Sequence, residues 1–327
     1  MLRALDFMAS KGFGMIHAVE GVGFPRDMDV DLVRLVGAGL KNQFLIRVYF
    51  QTMDISKVLK RKLTRIGGCF ATALDGSFGS EDAALGKSYS NNSANKGILY
   101  YSDEKVYEFA KAANREGLQI EFHAIGDAAF DQAVRAIENA LNDYPRSDHR
   151  HTIIHANIPT ESGLEKVSEI GIHIAVQPAM LHWKQEPLHY LEDILGDRVK
   201  KILPLRKMID MGIHVSGGSD APCTLPDPIQ GIYSACNHFI SEQSLTIPEA
   251  LCLFTSEGAY GSFDDERDTL DQGKIADMVI LNRNPLNLKP SELKQLEVEQ
   301  LILSGKKYKP GQGSFSMLSN ALMRWIF

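Results

Sequence analysis

Hydrophobic and polar positions follow two alternating patterns over the first two thirds of this chain. Short apolar runs recur, and between them apolar residues take helical spacing, as at Phe130, Val134, Ile137 and Leu141. This alternation is typical of a parallel sheet wrapped by helices. The seven runs predicted to be strands are residues 14–20, 44–50, 68–74, 118–123, 152–156, 172–177 and 213–217.

The count of strands favours an α/β barrel of the (β/α)₈ type, because such a barrel has about eight strands. The predicted helix ends agree with this architecture. Gly117, Gly171 and Gly212 each stand where a helix ends and the next strand begins, a position that prefers a left-handed residue. Thr246 and Glu249 have the spacing of a capping box at the start of another helix.

The alternation stops after about Gly261. Residues 268–281 and 298–308 resemble strands joined by turn-rich segments, which indicates a small β appendage. We therefore expect two domains, a barrel over residues 1–262 and a C-terminal β segment over 263–327. The apolar tail at 315–327 is too short to cross a bilayer, and we expect a helix that docks on the body.

Composition narrows the class of protein. The 327 residues are 44% hydrophobic and 23% charged, with a net charge of -6, as in an ordinary globular protein. A mildly acidic chain without a basic stripe argues against nucleic-acid binding, and the basic run at 57–62 has the character of a solvated helix face. Four scattered cysteines and no signal peptide or membrane span predict a cytoplasmic protein that contacts no membrane.

The candidate chemistry lies at the ends of three predicted strands. His123, His155 and Asp220 each follow or end a short apolar run. In a barrel the carboxyl ends of the strands converge on one face, so these side chains are expected within about 8 Å of one another. Two imidazoles and a carboxylate are suitable ligands for zinc or a similar divalent ion. Each histidine alone is as well explained by a hydrogen-bonded core position.

Four further residues are candidates for supporting or substrate-contacting roles, and each has an ordinary alternative. Asp127 begins the helix after His123, so it is either an N-cap or a carboxylate that orients a ligand. Asp75 ends the third run, either as a site carboxylate or in an Asx turn. Gln177 and His182 follow the sixth run, where they contact substrate or pack as ordinary loop residues.

Cys69 lies on the third run and is interpreted as an inert buried thiol. The chain contains no Gly-x-Ser-x-Gly elbow, phosphate loop or His-Glu-x-x-His helix, so serine-hydrolase and kinase chemistry have no sequence support.

The ordered motifs resemble the amidohydrolase superfamily, in particular the YtcJ-like branch that includes N-substituted formamide deformylases. The stretches that carry the resemblance are Asp75-Gly76-Ser77, His123-Ala124-Ile125-Gly126-Asp127, residues 151–157, Gly218-Ser219-Asp220-Ala221-Pro222 and residues 273–279. The resemblance implies that His123 and His155 are metal ligands from barrel strands 5 and 6. It further implies that Asp220 binds metal and acts as general base, and that residues 273–281 enter a small β-sandwich.

Two departures from the family pattern matter. The family's His-x-His pair belongs to a first strand that precedes the helix in which Met1 stands, so we expect a barrel that lacks its first strand. The lysine that bridges two metals in many relatives would fall on Ala71. Both departures imply at most one divalent ion per chain. The exposed edge is expected to be covered by the C-terminal tail at 315–327, by a second copy of the chain or by an N-terminal fragment.

Two hypotheses of function follow. The first is a metal-dependent hydrolase of a non-peptide C–N bond in a small amide or formamide, with water activated by the metal and Asp220. The second is a truncated or degenerate protein that keeps the amidohydrolase fold without catalysis.

Overall fold

Seven parallel strands form the main sheet of the protein. A computed structural model describes residues 1–326, with side chains through residue 324. The strands pair in chain order, each with its sequence neighbours, so the sheet curls as part of a barrel. The seven predicted strands are confirmed to within a few residues: β1 (Met15–Glu20), β2 (Leu45–Phe50), β3 (Arg65–Ala73), β4 (Gln119–Ala124), β5 (Thr152–His155), β6 (His173–Val176) and β7 (Val215–Gly217).

Helices connect successive strands and cover the outer face of the sheet. The predicted stripe of α5 is buried at Phe130, Val134 and Ile137. Gly117, Gly171 and Gly212 have φ between 70° and 74°, which confirms their left-handed positions. The helices of the described chain are α1 (Leu2–Ser10), α2 (Met28–Gly39), α3 (Ile55–Lys60), α4 (Asp103–Arg115), α5 (Asp127–Asp143), α6 (Glu161–Ile170), α7 (Leu188–Leu195), α8 (Leu205–Asp210), α9 (Pro228–Cys236), α10 (Ile247–Leu253), α11 (Ser256–Gly261) and α12 (Ser314–Ile326).

Burial differs sharply between the middle and the edge of the sheet. Every residue of β4 and β5 is buried, because helices cover one face and the curled sheet encloses the other. No residue of β1 is buried, although the strand is largely apolar. Within the described residues β1 and β7 each pair with a single strand, so both are edges.

A small antiparallel sheet follows the main one, in the order β10-β9-β8. Its strands are β8 (Met278–Leu281), β9 (Val298–Leu303) and β10 (Lys306–Lys307). The prediction of a strand over all of 268–281 is wrong for 268–277, where turns and bends follow the charged sequence. The division into domains at residue 262 stays a prediction.

The C-terminal tail forms a helix that docks on the body, as expected, with Phe327 outside the described residues. α12 packs on α2, where Met317 meets the backbone of Gly39 and Ala321 is fully buried. The Asn320 amide donates to the Gly39 carbonyl at 3.0 Å. Among the described residues no helix is long and apolar enough to cross a membrane.

The amino ends of the strands meet one short segment, residues 260–265. Gln119 at the start of β4 donates to the Gly261 carbonyl at 2.9 Å. Arg65 at the start of β3 donates to the Ser262 carbonyl, and Arg47 of β2 donates to Asp264 at 2.8 Å. Strands bonded to one segment cannot splay apart, so these bonds fix the curl of the sheet at this end.

Arg150, just before β5, also contacts this segment at several points. Its guanidinium donates to the Tyr260 carbonyl at 2.7 Å and to both oxygens of Asp265 at 2.8 and 3.0 Å. It also stacks on the rings of Tyr260 and Phe263, at 4.3 and 4.4 Å from their centroids. The side chain is only 8% exposed, so these bonds form largely away from water.

Replacing Arg150 with Met should lower the free energy of unfolding by about 2 kcal/mol or more, because the charged hydrogen bonds of a largely buried guanidinium to Tyr260 and Asp265 are lost. Urea unfolding measures the change. Arg115→Met is the matched control, since Arg115 forms an exposed ion pair with Asp143 and its loss should be minor. Equal midpoints for the two variants would show that the 260–265 segment does not hold the sheet.

Candidate metal centre

Two histidines meet at the carboxyl ends of β4 and β5. His123 pairs with Ile154 and Ala124 with His155, so the two imidazoles are near neighbours across the ladder. Their ring centroids are 4.5 Å apart and the rings are nearly perpendicular. His155 has a φ of 74°, a strained backbone for a residue with a side chain, and such strain is common at functional sites. Of the three side chains predicted to lie close together, His123 and His155 are therefore direct neighbours.

Hydrogen bonding leaves one nitrogen of His123 free. Its Nε2–H donates to the Gly76 carbonyl at 3.0 Å, which leaves a lone pair on Nδ1. Nδ1 of His123 and Nδ1 of His155 are both buried, and neither has a hydrogen-bond partner within residues 1–326. Burial lowers the pKa of His123 to about 3 and that of His155 to about 4. Both rings are thus neutral at physiological pH, the form that binds metals.

Asp75 anchors the loop that carries Gly76. Its carboxylate accepts backbone N–H groups from Ala84, Ile125 and Gly126 at 2.8–2.9 Å. The Asx-turn interpretation is wrong, because these bonds reach distant segments and not the following residues. One oxygen lies 3.6 Å from His123 Nε2, and burial raises the pKa of Asp75 to about 7. Asp75 therefore supports the position of His123.

Asp220 lies three residues beyond the carboxyl end of β7, and His123 and His155 lie at the carboxyl ends of their strands as well. Its φ of 50° is again a strained backbone for an aspartate. Burial raises its pKa, while a hydrogen bond from Cys223 and the proximity of His123 oppose the shift. The carboxylate interacts electrostatically with His123 but does not belong to the tight group of donor atoms around the two histidines.

The tight group contains Cys69 instead. Donor atoms of Cys69, His123 and His155 all lie within 4.8 Å of one another. Sequence analysis interpreted Cys69 as buried and inert, but the side chain is half-buried and forms no disulfide. The position counted for the family's lysine, Ala71, offers no donor. Both residues lie in the part of β3 where the pairing with β4 is irregular, between Gly68 and Ala73.

Two other residues predicted for the site, Gln177 and His182, form hydrogen bonds with backbone carbonyl groups. Gln177 is buried beside His155, and its amide donates to the Ala175 carbonyl at 3.1 Å. His182 is exposed, with its ring donating to the Asn237 carbonyl after α9 at 3.0 Å.

Asp127 is not the N-cap of α5, because Gly126 takes that position. Its carboxylate instead accepts the N–H of Gly86 at 2.8 Å, and none of its described bonds reaches a histidine.

The sequence analysis did not identify Glu121 as a candidate residue near the site. The residue precedes His123 by two positions on β4, so both side chains point to the same face of the sheet. It is buried, and burial raises its pKa to about 8 despite the positive charge of Arg65. The two-residue alternation of side chains along β4 could have identified Glu121, because it places this residue on the same face as His123.

These residues fit a divalent ion. Two neutral imidazoles with orphaned buried nitrogens and a nearby thiol provide donors that zinc-like ions prefer, and Asp220 provides a carboxylate at the same end of the sheet. Parallel α/β barrels bring such side chains together at the carboxyl ends of their strands.

The chain belongs to the amidohydrolase family, whose family model matches residues 1–307. It is 30% identical over 253 residues to the putative amidohydrolase YtcJ of Bacillus subtilis, covering 73% of this chain and 46% of that protein. It is 25% identical over 225 residues to the N-substituted formamide deformylase of Arthrobacter pascens, covering 64% of this chain and 40% of that protein. The chain thus spans less than half the length of these relatives.

Solved structures share the fold. An uncharacterized metal-dependent hydrolase from Pyrococcus furiosus has a TM-score of 0.73 at 24% identity, over 87% of this chain and 59% of that chain. Atrazine chlorohydrolase TrzN from Arthrobacter aurescens TC1, solved with zinc, has a TM-score of 0.61 at 13% identity, over 98% of this chain and 75% of that chain. At these identities the likeness concerns the fold.

Replacing Asp75 with Asn should destabilise the protein by about 1–3 kcal/mol, because the amide nitrogen cannot accept and at least one buried N–H loses its partner. Urea unfolding of the metal-free protein measures the effect. Asp54→Asn is the control: Asp54 caps α3 at an exposed site, where asparagine caps equally well. If both variants unfolded at the wild-type midpoint, Asp75 would not anchor this loop.

Proposed function

We propose that the protein is a metal-dependent hydrolase that cleaves a non-peptide C–N bond in a small amide or formamide. The observation that carries the proposal is the pair of neutral, buried imidazoles whose free nitrogens have no other partner. Membership of the amidohydrolase family and the printed names of its relatives support the reaction class. The ion is zinc or a similar divalent metal, with one ion per chain.

His123 and His155 would hold the ion, which would supply the Lewis-acid chemistry that polarises an amide carbonyl and activates water. The Gly76 carbonyl fixes the His123 ring through Nε2 and leaves Nδ1 free to bind the ion. Asp220 accepts the proton of the attacking water and returns it to the leaving nitrogen. Burial already raises the pKa of Asp220, which brings this carboxyl closer to the range that suits proton transfer near neutral pH.

Asp220 also stands as a candidate metal ligand. Because its carboxylate lies outside the tight donor group, we favour the role of base over that of ligand. Its strained backbone and its hydrogen bond from Cys223 give it a defined orientation beside His123.

Replacing Asp220 with Asn should lower kcat by roughly 100- to 10,000-fold, because the amide cannot accept the proton of water. Zinc content, measured by elemental analysis, should stay near that of the wild type. Asp127→Asn is the matched control, since this carboxylate bonds to a loop N–H and not to a histidine. Loss of zinc in Asp220→Asn would make Asp220 a ligand rather than only a base.

The assay uses a panel of N-substituted formamides and simple amides with zinc-loaded protein. Release of the amine product supports the hydrolase. A protein that holds zinc and turns over none of the panel would favour the alternative, an amidohydrolase fold without catalysis.

The open edges of the sheet support a second proposal, that another strand lies between β1 and β7. β1 has no buried residue, and the loop after it exposes Val22 and Phe24 by 55% and 60%. Exposed strand edges and apolar side chains favour pairing with another chain. A second copy of this chain, or an N-terminal fragment, would supply the strand.

Light scattering should therefore detect self-association, and the monomer should bind the apolar dye ANS. Replacing the exposed Val22, in the loop after β1, with Lys should reduce self-association, because a charge in this apolar surface opposes its burial against another chain. Leu286→Lys, at an exposed site on the small sheet's connection, is the control. A stable monomer that binds no ANS would refute the proposal.

A further inference from the structure

We propose that Cys69 is the third protein ligand of the metal, so that the centre is a Cys-His-His site for thiophilic ions such as zinc. The inference rests on the proposed function in one respect only, that an ion binds at His123 and His155. It goes further because it assigns the ligand from β3 and the class of metal.

The distances allow this arrangement with little movement. The three donor atoms lie within 4.8 Å of one another. In a tetrahedral zinc site the metal is about 2.0–2.1 Å from nitrogen and about 2.3 Å from sulfur, so nitrogen and sulfur ligands are about 3.6 Å apart. Side-chain shifts on the order of 1 Å would close the group around an ion.

The backbone around Cys69 is built to hold the thiol at this place. Residues 69–72 form the irregular part of β3, between the pairs Gly68 with Phe122 and Ala73 with His123. The Thr72 hydroxyl accepts the Gly68 N–H at 2.8 Å. The Gln51 amide oxygen accepts the Phe70 N–H, also at 2.8 Å. Bonds on both sides of Cys69 therefore fix the irregular segment and the direction of its side chain.

Gly68 makes this segment possible. Its φ is 142°, and a Cβ there would lie 2.5 Å from Val19 and 2.7 Å from Gln51. A glycine lets β3 pass close to β1 and β2 and brings Cys69 into the interior of the sheet. The close approach is a feature of the chain itself and does not depend on a bound ion.

Burial and the nearby Asp220 and Glu121 carboxylates raise the pKa of the Cys69 thiol, and a bound divalent ion would reverse this by stabilising the thiolate. Two neutral imidazoles leave the charge of a divalent ion uncompensated in a largely buried place, which costs free energy. A Cys69 thiolate and the Asp220 carboxylate together supply two negative charges. With Cys69 as a ligand, Asp220 keeps its lone pairs for proton transfer, and a fourth position stays open for water, as catalytic zinc sites require.

The donor set predicts metal preference. Thiolate and imidazole ligands select zinc, cobalt and cadmium over magnesium and calcium, which prefer oxygen. We therefore expect tight binding of zinc and no competition from a large excess of magnesium.

The test loads the metal-free protein with Co²⁺, which gives a near-ultraviolet charge-transfer band when a thiolate binds it. The wild type should show this band at one Co²⁺ per chain. Cys69→Ser should lose the band and bind Zn²⁺ more weakly, by more than the roughly 10- to 100-fold contributed by groups that only support a ligand.

Two cysteine variants serve as controls. Cys252→Ser replaces an exposed thiol outside the site, and Cys223→Ser replaces the thiol that bonds to Asp220. Both should keep the band. A band that disappears only in Cys223→Ser would overturn the assignment to Cys69.

A measurement on the unmutated protein guards against a Cys69→Ser variant that fails to fold. Zn²⁺ should protect Cys69 from maleimide modification, with modified peptides detected by mass spectrometry, while the exposed Cys252 reacts at the same rate with or without metal. Equal modification of Cys69 in both states would overturn the proposal. If Cys69 reacts freely while His123→Asn abolishes Zn²⁺ binding, only the thiolate ligand is refuted; if the wild type binds no metal, the proposed function fails as well.

Discussion

The structure depends on the polar bonds between residues 260–265 and the amino ends of the strands. Four side chains from different parts of the sheet form hydrogen bonds with this one segment. They are Arg47, Arg65, Gln119 and Arg150. A parallel sheet held together at its amino ends keeps its curl, and the same curl brings the carboxyl ends toward one another. The side chains that we propose as metal ligands therefore meet because of contacts at the opposite end of the sheet, where none of them lies. Two residues of this segment that accept these hydrogen bonds, Asp264 and Asp265, lie beyond the predicted barrel boundary at residue 262.

At the carboxyl ends of the strands, the protein contains residues with strained backbones and buried polar atoms without hydrogen-bond partners among the described residues. His155 and Asp220 have positive φ values, and the free nitrogens of His123 and His155 are buried without partners in the described chain. Such features lower stability, and a folded protein retains them where a ligand or a reaction uses them. A bound divalent ion would satisfy the orphaned nitrogens, and its binding free energy would then stabilise the fold. The open edge at β1 is a separate weakness, because it concerns backbone groups and apolar surface rather than the metal ligands.

The sequence predicted the strands well because each has apolar residues between helical segments, such as Ile120 and Phe122 of β4 and Ile153 and Ile154 of β5. It also predicted that His123 and His155 meet, since the carboxyl ends of neighbouring parallel strands lie together. It failed where local geometry departs from regular alternation. In the irregular part of β3 the donor is Cys69, where counting pointed to Ala71. Gly126 took the cap position expected for Asp127, and the bonds of Asp75 run to segments that no local pattern could identify. These outcomes depend on contacts between residues far apart in sequence.

The central claim is that the curled sheet builds one metal centre from its carboxyl ends. Anomalous X-ray diffraction from crystals of the zinc-loaded protein, recorded at the zinc absorption edge, tests it most directly. The account predicts one peak per chain, about 2.0–2.3 Å from a nitrogen of His123, a nitrogen of His155 and the Cys69 sulfur. A peak that touches neither histidine, or the absence of any peak from a protein that elemental analysis shows to contain zinc, would contradict it.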